Sequence, residues 1–363
     1  MPRRRDVIVV GGGPAGLAAA TACARRGLDV LLLEARAFPV DKACGEGLLP
    51  AAVSVLEELG ALGRVSVEDR APFHAIRWLG EDGTVAEAHL PAPGGLGIRR
   101  TALSAALAGA ARAAGVEVRE RCPARAHRRG AEEVVVATDL GEERALFLVA
   151  ADGLASPIRL REGLEVRPQR PFRFGLRRHF AVAPWADAVE VHFAAGVEAY
   201  VTPVGPRRVG VAFLTEEEER APYGALLRRF PALAARVAGA PFDSRLAGAG
   251  PFARSVRARV TDRLALLGDS AGYVDALTGE GVSLALDAAR ELAAVLPDAL
   301  SSGGSSAALA PFVRATSLRY RRYAAIARLT LGIARRPRLR RGVLSLAARS
   351  PRTFSKVVGW AVG

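Results

Sequence analysis

The chain is 363 residues long, half of them apolar, and it carries a formal net charge of +14. That is enough apolar sequence to bury a large core, which excludes a disordered tail protein or a small disulfide scaffold and suits two or three domains or one large α/β enzyme. Cys23, Cys44 and Cys122 lie far apart, without CxxC spacing or paired histidines, so neither a metal site nor a disulfide framework is expected.

In chain order, residues 6–10 (DVIVV) predict a buried parallel strand, GGGPAG a turn, the Ala-rich segment to about Arg26 a helix, and LDVLLLE an apolar strand ending at Glu34. This is a βαβ unit of the length a dinucleotide fold needs. Residues 98–114 predict a helix with Arg99 and Arg100 at its start, while 116–120, 134–138 and 146–151 predict strands. Between 168 and 214 the runs FRFGLRRHF, AVEVHF, EAYVTPV and RVGVAFL alternate between Pro and Gly breaks, the pattern of an antiparallel sheet inserted into the α/β frame as a substrate layer. LALLGDSAG at 264–272 returns to a buried strand and turn, Gly281 to Leu296 predicts a helix, SSGGSS at 301–306 a flexible link, and the remainder an Arg-rich helical region.

Charge is uneven along the chain. Residues 301–363 hold thirteen basic residues and no acidic one, so this last sixth carries +13 of the +14. Its readings are attraction to an anionic membrane surface and a solvated helical face packed on the rest of the protein; no nucleic-acid module accompanies it, and nucleic acid is not an expected partner. At the N-terminus, basic residues precede only four apolar ones before three glycines, too short for a signal segment. No uninterrupted apolar run reaches the roughly 18 residues of a spanning helix. A cytoplasmic protein, at most peripheral at the inner membrane surface, is the expectation.

Gly11, Gly13 and Gly16 form a GxGxxG turn around Pro14 and Ala15. The first glycine permits the tight turn, Gly13 lets backbone approach a pyrophosphate, and Gly16 lets the helix pack on the strand, while the helix N-terminus offers N–H groups to phosphates. Glu34, followed by Ala35 and Arg36, stands at the end of the next strand, where its carboxylate can accept from both ribose hydroxyls. FAD and NAD share this fingerprint.

Two downstream segments separate them. LVAADGLASPIR at 148–159 and LALLGDSAGYVDALTGEGVSLAL at 264–286 resemble, in order and spacing, the later signatures of flavoproteins of the p-hydroxybenzoate hydroxylase type. The segment Asp41-Lys42-Ala43-Cys44-Gly45-Glu46 and the basic C-terminus are similar to those of geranylgeranyl reductases and related prenyl-quinone and lipid reductases. The resemblance covers nearly the whole chain. It implies a Rossmann-like FAD-binding domain from 1–70, 96–160 and 255–300, an antiparallel β-sheet substrate domain from 71–95 and 161–254, and a basic helical region at 301–363. It further implies tightly but non-covalently bound FAD. No second GxGxxG unit is present, so NAD(P)H is expected as a transient donor, with a separate flavin reductase as the equal alternative.

Arg100 matches the family position that reaches the cofactor's phosphates, and the same resemblance implies that Asp152 and Gly153, with Ser156 and Arg159, lie between cofactor and substrate. The Asp269 carboxylate, after Gly268 at a strand's C-terminal end, is placed to accept from a ribityl hydroxyl. Thr278-Gly279-Glu280-Gly281 enters a helix at Val282 whose N–H groups are expected to face the flavin pyrimidine. By the same resemblance Cys44 and Gly45 lie beside the flavin. Cys44 is then either a proton donor or a small polarizable filler, and Lys42 and Glu46 either steer NAD(P)H or pair to hold the loop.

Flavin halogenases share this frame, but their paired tryptophans would fall near residues 198–203, where neither is present; Tyr200 there is expected to line the substrate chamber and, with Cys44, is a candidate catalytic residue. His179 and His192, in the predicted sheet, are the histidines best placed for acid–base work. The overall expectation is a reductase transferring hydride to a hydrophobic isoprenoid or polyketide. The alternatives are a monooxygenase acting through a flavin hydroperoxide and, more weakly, a non-catalytic flavoprotein that docks to membranes.

Overall fold

A computed structural model describes residues 3–166, 172–216 and 219–362 of the chain. Strand Arg4–Val10 carries Val7, Ile8 and Val9 fully buried, as a strand covered on both faces requires. Helix α1 (Pro14–Ala24) starts with Pro at its first turn and buries Ala15 through Cys23, small side chains that let it lie close between the sheet and neighbouring helices. Strand Val30–Leu33 pairs parallel with Arg4–Val10, completing the expected βαβ unit.

The main sheet runs 260–261, 264–266, 141–150, 4–10, 30–33, 117–119, with 134–138 and 126–129 folded back onto the long 141–150 strand. Four of its pairings are parallel, joining 264–266, 141–150, 4–10, 30–33 and 117–119. Helices α2 (Pro50–Glu58) and α3 (Arg100–Ala113) cover it together with α1, and the short α4 (Pro157–Arg161) is capped by Ser156.

A second sheet has seven strands in the order 247–249, 173–180, 208–216, 197–205, 188–194, 75–79, 85–89. It is antiparallel except where Ala188–Ala194 pairs parallel with Ala75–Leu79, an edge hairpin that sequence alternation did not reveal. Small helices α5 (Tyr223–Arg228) and α6 (Pro231–Arg236) close one face over Phe213, Tyr223 and Phe230. A three-stranded sheet of 47–48, 95–98 and 70–73 straddles the boundaries expected near 70 and 96.

Helix α7 spans Gly281–Ser301, five residues past the expected end, because Leu296 and Ala299 pack into the core on both sides of Pro297. The segment expected as a flexible link is instead a tight turn. Gly303 and Gly304 adopt φ of 81° and 68°, the Gly304 N–H donates to the Ala299 carbonyl, and the Arg263 N–H donates to the Gly304 carbonyl. Helices α8 (Ala310–Ala334), α9 (Pro337–Arg349) and α10 (Pro351–Val362) then cross over the free face of the second sheet, burying Ala334, Leu344, Phe354 and Val358 against Ala86, Ala88 and Phe193.

Candidate active site

Gly11, Glu34, Asp152 and Asp269 each follow the C-terminal end of a parallel strand of the main sheet, where open α/β sheets take ligands. A cavity of about 1280 Å³ opens there and extends to the second sheet and α8–α10. It is lined by Gly11, Gly13, Pro14, Ala15, Glu34, Ala35, Arg36, Cys44, Gly45, Arg100, Asp152, Tyr200, Gly268, Asp269, Gly279, Gly281 and Val282, bringing together residues far apart in sequence. Gly16 is the exception. It lies within α1, where a Cβ would be driven into the Gly11 carbonyl oxygen.

The strand–helix turn is shaped for a phosphate. Gly13 has an ordinary extended backbone (φ −73°), and a Cβ there would meet nothing within 4 Å, so the main chain faces open cavity with the α1 N–H groups behind it. Glu34 is held ready: Oε2 accepts from the Gly12 N–H at 2.6 Å and Oε1 from the Arg36 N–H at 2.9 Å, leaving further lone pairs for a ligand. Arg100 is 7% exposed and its Nε has no hydrogen-bond partner, nor does its guanidinium make an ion pair among the described residues. A buried cation without a counter-ion is destabilising on its own, and a cofactor phosphate in the cavity would supply the missing charge. These residues fit a dinucleotide.

The 41–46 loop crosses the middle of the cavity. Lys42 Nζ sits 2.9 Å from Asp269 Oδ2, and the Cys44 sulfur accepts from the Glu46 N–H at 3.4 Å. Glu46 is buried, receiving the Arg100 N–H at 2.6 Å and lying 2.6 Å from His179 Nε2; Arg177 pairs with Asp41, and Thr202 Oγ1 donates to the Gly45 carbonyl at 2.7 Å. The loop is therefore bolted to strands 173–180 and 197–205. Of the alternatives for Lys42 and Glu46, both residues pair. His179 and His192 are engaged with Glu46 and Glu190, and neither is among the residues that line the cavity.

Residues 273–278 strap across the second sheet. Buried Arg173 bonds Asp275 at 3.0 Å and pairs with Glu198, while the Tyr323 hydroxyl of α8 donates to the Asp275 carbonyl at 2.8 Å. With two buried carboxylates on one cation, burial pushes Glu198 up to about 7 and raises Asp275, against the pull of Arg173. The Tyr200 hydroxyl donates to the Leu277 carbonyl at 2.9 Å, and burial raises it well above the usual tyrosine range. Tyr200 thus presents its ring as chamber wall and not its hydroxyl as an acid.

The strap delivers Thr278 through Gly281 to the α7 N-terminus. Glu280 Oε2 and Ser283 Oγ are buried there without hydrogen-bond partners among the described residues, and burial pushes Glu280 up to about 7, with Thr278 and Arg322 holding it lower. Asp152 serves the framework: its two oxygens accept from Ser270 Oγ at 3.0 Å and the Ile158 N–H at 3.2 Å. Buried Arg159 donates to the carbonyls of Leu154 and Ser270, tying the two family segments together.

Sequence reasoning missed the Arg173–Glu198–Asp275 and Arg177–Glu46–His179 clusters. Their signal was present in strand 173–180, where Arg173, Arg177 and His179 alternate onto one face that proves to be the buried one.

Fold and site together define a flavoprotein oxidoreductase, and the comparisons agree. The chain belongs to the FAD binding domain family, whose model matches residues 4–324. It is an FAD-dependent oxidoreductase of the geranylgeranyl reductase and p-hydroxybenzoate hydroxylase-like superfamily. It is 30% identical over 315 residues to a menaquinone reductase of Mycobacterium tuberculosis, covering 81% of this chain and 76% of that one. It is 31% identical over 322 residues to digeranylgeranylglycerophospholipid reductase 1 of Methanopyrus kandleri, covering 83% of each. Among solved structures, a flavoprotein/dehydrogenase from Cytophaga hutchinsonii superposes with a TM-score of 0.81 at 19% identity, over 99% of this chain and 100% of that one. The flavin-dependent brominase Bmp2 does so with a TM-score of 0.80 at 19% identity, over 95% and 94%; these two likenesses speak for the fold alone.

Proposed function

We propose that the chain reduces a carbon–carbon double bond of a hydrophobic isoprenoid or polyketide substrate. The observation that carries this reading is the continuity of the cavity, which runs from Gly13 and Arg100 past Cys44 and Glu280 into an apolar chamber of Ile76, Trp78, Val191, Leu214 and Phe252. The names of the menaquinone and digeranylgeranylglycerophospholipid reductases support a greasy, unsaturated substrate.

In this reading Glu34 accepts from the ribose, Arg100 and the α1 N–H groups hold the phosphates, and Asp269 accepts from the ribityl chain. Thr278 through Val282 face the ring. Residues 1–70, 96–160 and 255–300 hold the cofactor, 71–95 and 161–254 the substrate, and 301–363 close the chamber. Reduced FAD, when bound, supplies a hydride equivalent to one alkene carbon. The Cys44 thiol delivers the proton to the other carbon and is reprotonated from water. The reductant is NAD(P)H bound transiently or a partner flavin reductase.

The test is anaerobic. Protein loaded with FAD and photoreduced is mixed with menaquinone or a geranylgeranyl lipid, while the visible flavin band and product mass are followed. Return of the oxidised band is expected, slowed in Cys44→Ser, with a product that stays two hydrogens heavier after any quinol formed has been reoxidised in air. No anaerobic reoxidation, together with substrate-dependent oxygen consumption and an oxygenated product, would overturn it in favour of a monooxygenase.

A further inference from the structure

The mouth of the chamber has an unusual surface. Leu329 of α8, Leu346 of α9, and Val357 and Trp360 of α10 are 66%, 68%, 57% and 64% exposed, and all four also line the cavity. Isolated exposed apolar side chains are ordinary, but a group continuous with an internal apolar chamber marks an interaction site.

The helical spacing gathers this group on one side of each helix. On α8, Ile326, Leu329 and Ile333 follow each other at three- and four-residue steps, at the end of α9 Val343, Leu346 and Ser350 do so, and on α10 Thr353, Val357 and Trp360. Cations flank the rows of α9 and α10. Arg349 follows Leu346 by one turn, Arg352 and Lys356 run beside Thr353 and Val357, and all three are exposed and make no ion pair among the described residues. By contrast Arg319, Arg335 and Arg340 pair with acidic groups on the body of the protein and anchor the helices to it. Arg322 lies over the Trp360 ring at 4.4 Å. No helix among the described residues is long and apolar enough to cross a membrane.

We infer that the mouth formed by α8–α10 docks on an anionic lipid bilayer, with Leu329, Leu346, Val357 and Trp360 entering the interface and Arg349, Arg352 and Lys356 contacting headgroups. The chemistry of the surface selects this occupant. The segment from 301 onward carries thirteen cations and no acidic residue, which complements an anionic sheet of headgroups, and its apolar residues surround an opening and not a closed patch. Interfacial helices combine such a basic face with Trp and Leu, and Trp favours the headgroup level. That a lipid-like substrate reaches the chamber from the bilayer through this mouth rests on the reductase reading; the docking itself does not.

The experiment is cosedimentation of the FAD-loaded full chain with phosphatidylcholine vesicles and with vesicles containing phosphatidylglycerol, without substrate. Binding to the anionic vesicles is expected to exceed that to the zwitterionic ones about ten-fold or more at low salt and to weaken as salt screens the charges. Both Leu346→Ser/Val357→Ser/Trp360→Ser and Arg349→Gln/Arg352→Gln/Lys356→Gln should reduce binding while bound FAD and circular dichroism stay unchanged. A Trp360-dependent blue shift of emission on vesicle addition, lost in Trp360→Phe, is the second readout. Equal binding to both vesicle types, binding unaffected by either triple variant, or self-association through this face that the apolar variant abolishes would each overturn the proposal. Because no turnover is read, failure of docking and failure of the reductase assignment are separately visible.

Discussion

Lys42 Nζ and Asp269 Oδ2 lie 2.9 Å apart, joining residues 227 positions distant across the middle of the cavity. One comes from the loop that carries Cys44, the other from the end of the parallel strand 264–266, so the pair ties that loop to the main sheet. Both side chains are about a third exposed, and exposed pairs contribute only about 0.2–1 kcal/mol to stability. Asp269→Ala should therefore leave the melting temperature of the cofactor-free protein nearly unchanged. Its effect should fall on FAD, weakening binding about ten-fold or more through loss of a charged acceptor. Fluorescence titration with FAD measures this, and wild-type affinity would remove Asp269 from the cofactor site.

Arg100→Met should move two quantities in opposite directions. Removing a buried guanidinium that has no counter-ion among the described residues relieves an uncompensated charge, so the cofactor-free protein should melt at a higher temperature. FAD affinity should fall by about ten- to a hundred-fold, the range expected for losing a charge-assisted bond to phosphate. A parallel loss of stability and affinity would show Arg100 to be a packing residue.

Gly13 and Gly16 separate binding from folding. A Cβ at Gly13 meets nothing within 4 Å in the cofactor-free protein and its backbone suits any residue, so Gly13→Ala should fold normally yet load FAD poorly. Gly16→Ala forces helix from strand and should reduce soluble yield and melting temperature directly. Equal behaviour of the two variants in thermal melts would refute this division.

Glu280 makes stability depend on pH. Its folded pKa of about 7 lies above the ordinary carboxylate value, chiefly because burial disfavours the charged form. The protonated group's contribution is fully present below about pH 4.5 and lost as pH rises through about 7, an effect on the order of 1–3 kcal/mol. Thermal melts of the cofactor-free protein should lose stability between these limits, and Glu280→Gln should flatten that dependence. Glu198 titrates in the same window, so the difference between wild type and Glu280→Gln is the diagnostic quantity. Identical profiles would place the Glu280 carboxyl in water.

Much of the dinucleotide half was legible because its signals are local. The run from Asp6 to Glu34 combines a doubly buried strand, a glycine turn and a small-residue helix, each specified by neighbours within a few positions, and the structure reproduces it closely. The parallel edge of the second sheet was not legible, since strands 75–79 and 188–194 are separated by more than a hundred residues and no local pattern links them.

The sequence by itself determined the cofactor-type turn, the positions of acidic residues at strand ends, the alternating strands and the charge of the last helices, all properties of spacing and composition. Tertiary structure decided what those residues face. It gave the Tyr200 hydroxyl to the Leu277 carbonyl, Lys42 to Asp269 and His179 to Glu46, and left Arg100 as a buried cation without a counter-ion among the described residues. It also laid the basic C-terminal helices across the chamber, so that a segment distinguished in sequence only by charge supplies the apolar wall and mouth of the site. The physical reason is that burial and pairing are set by contacts between distant segments, and these follow from packing all the layers at once, beyond the reach of any local pattern.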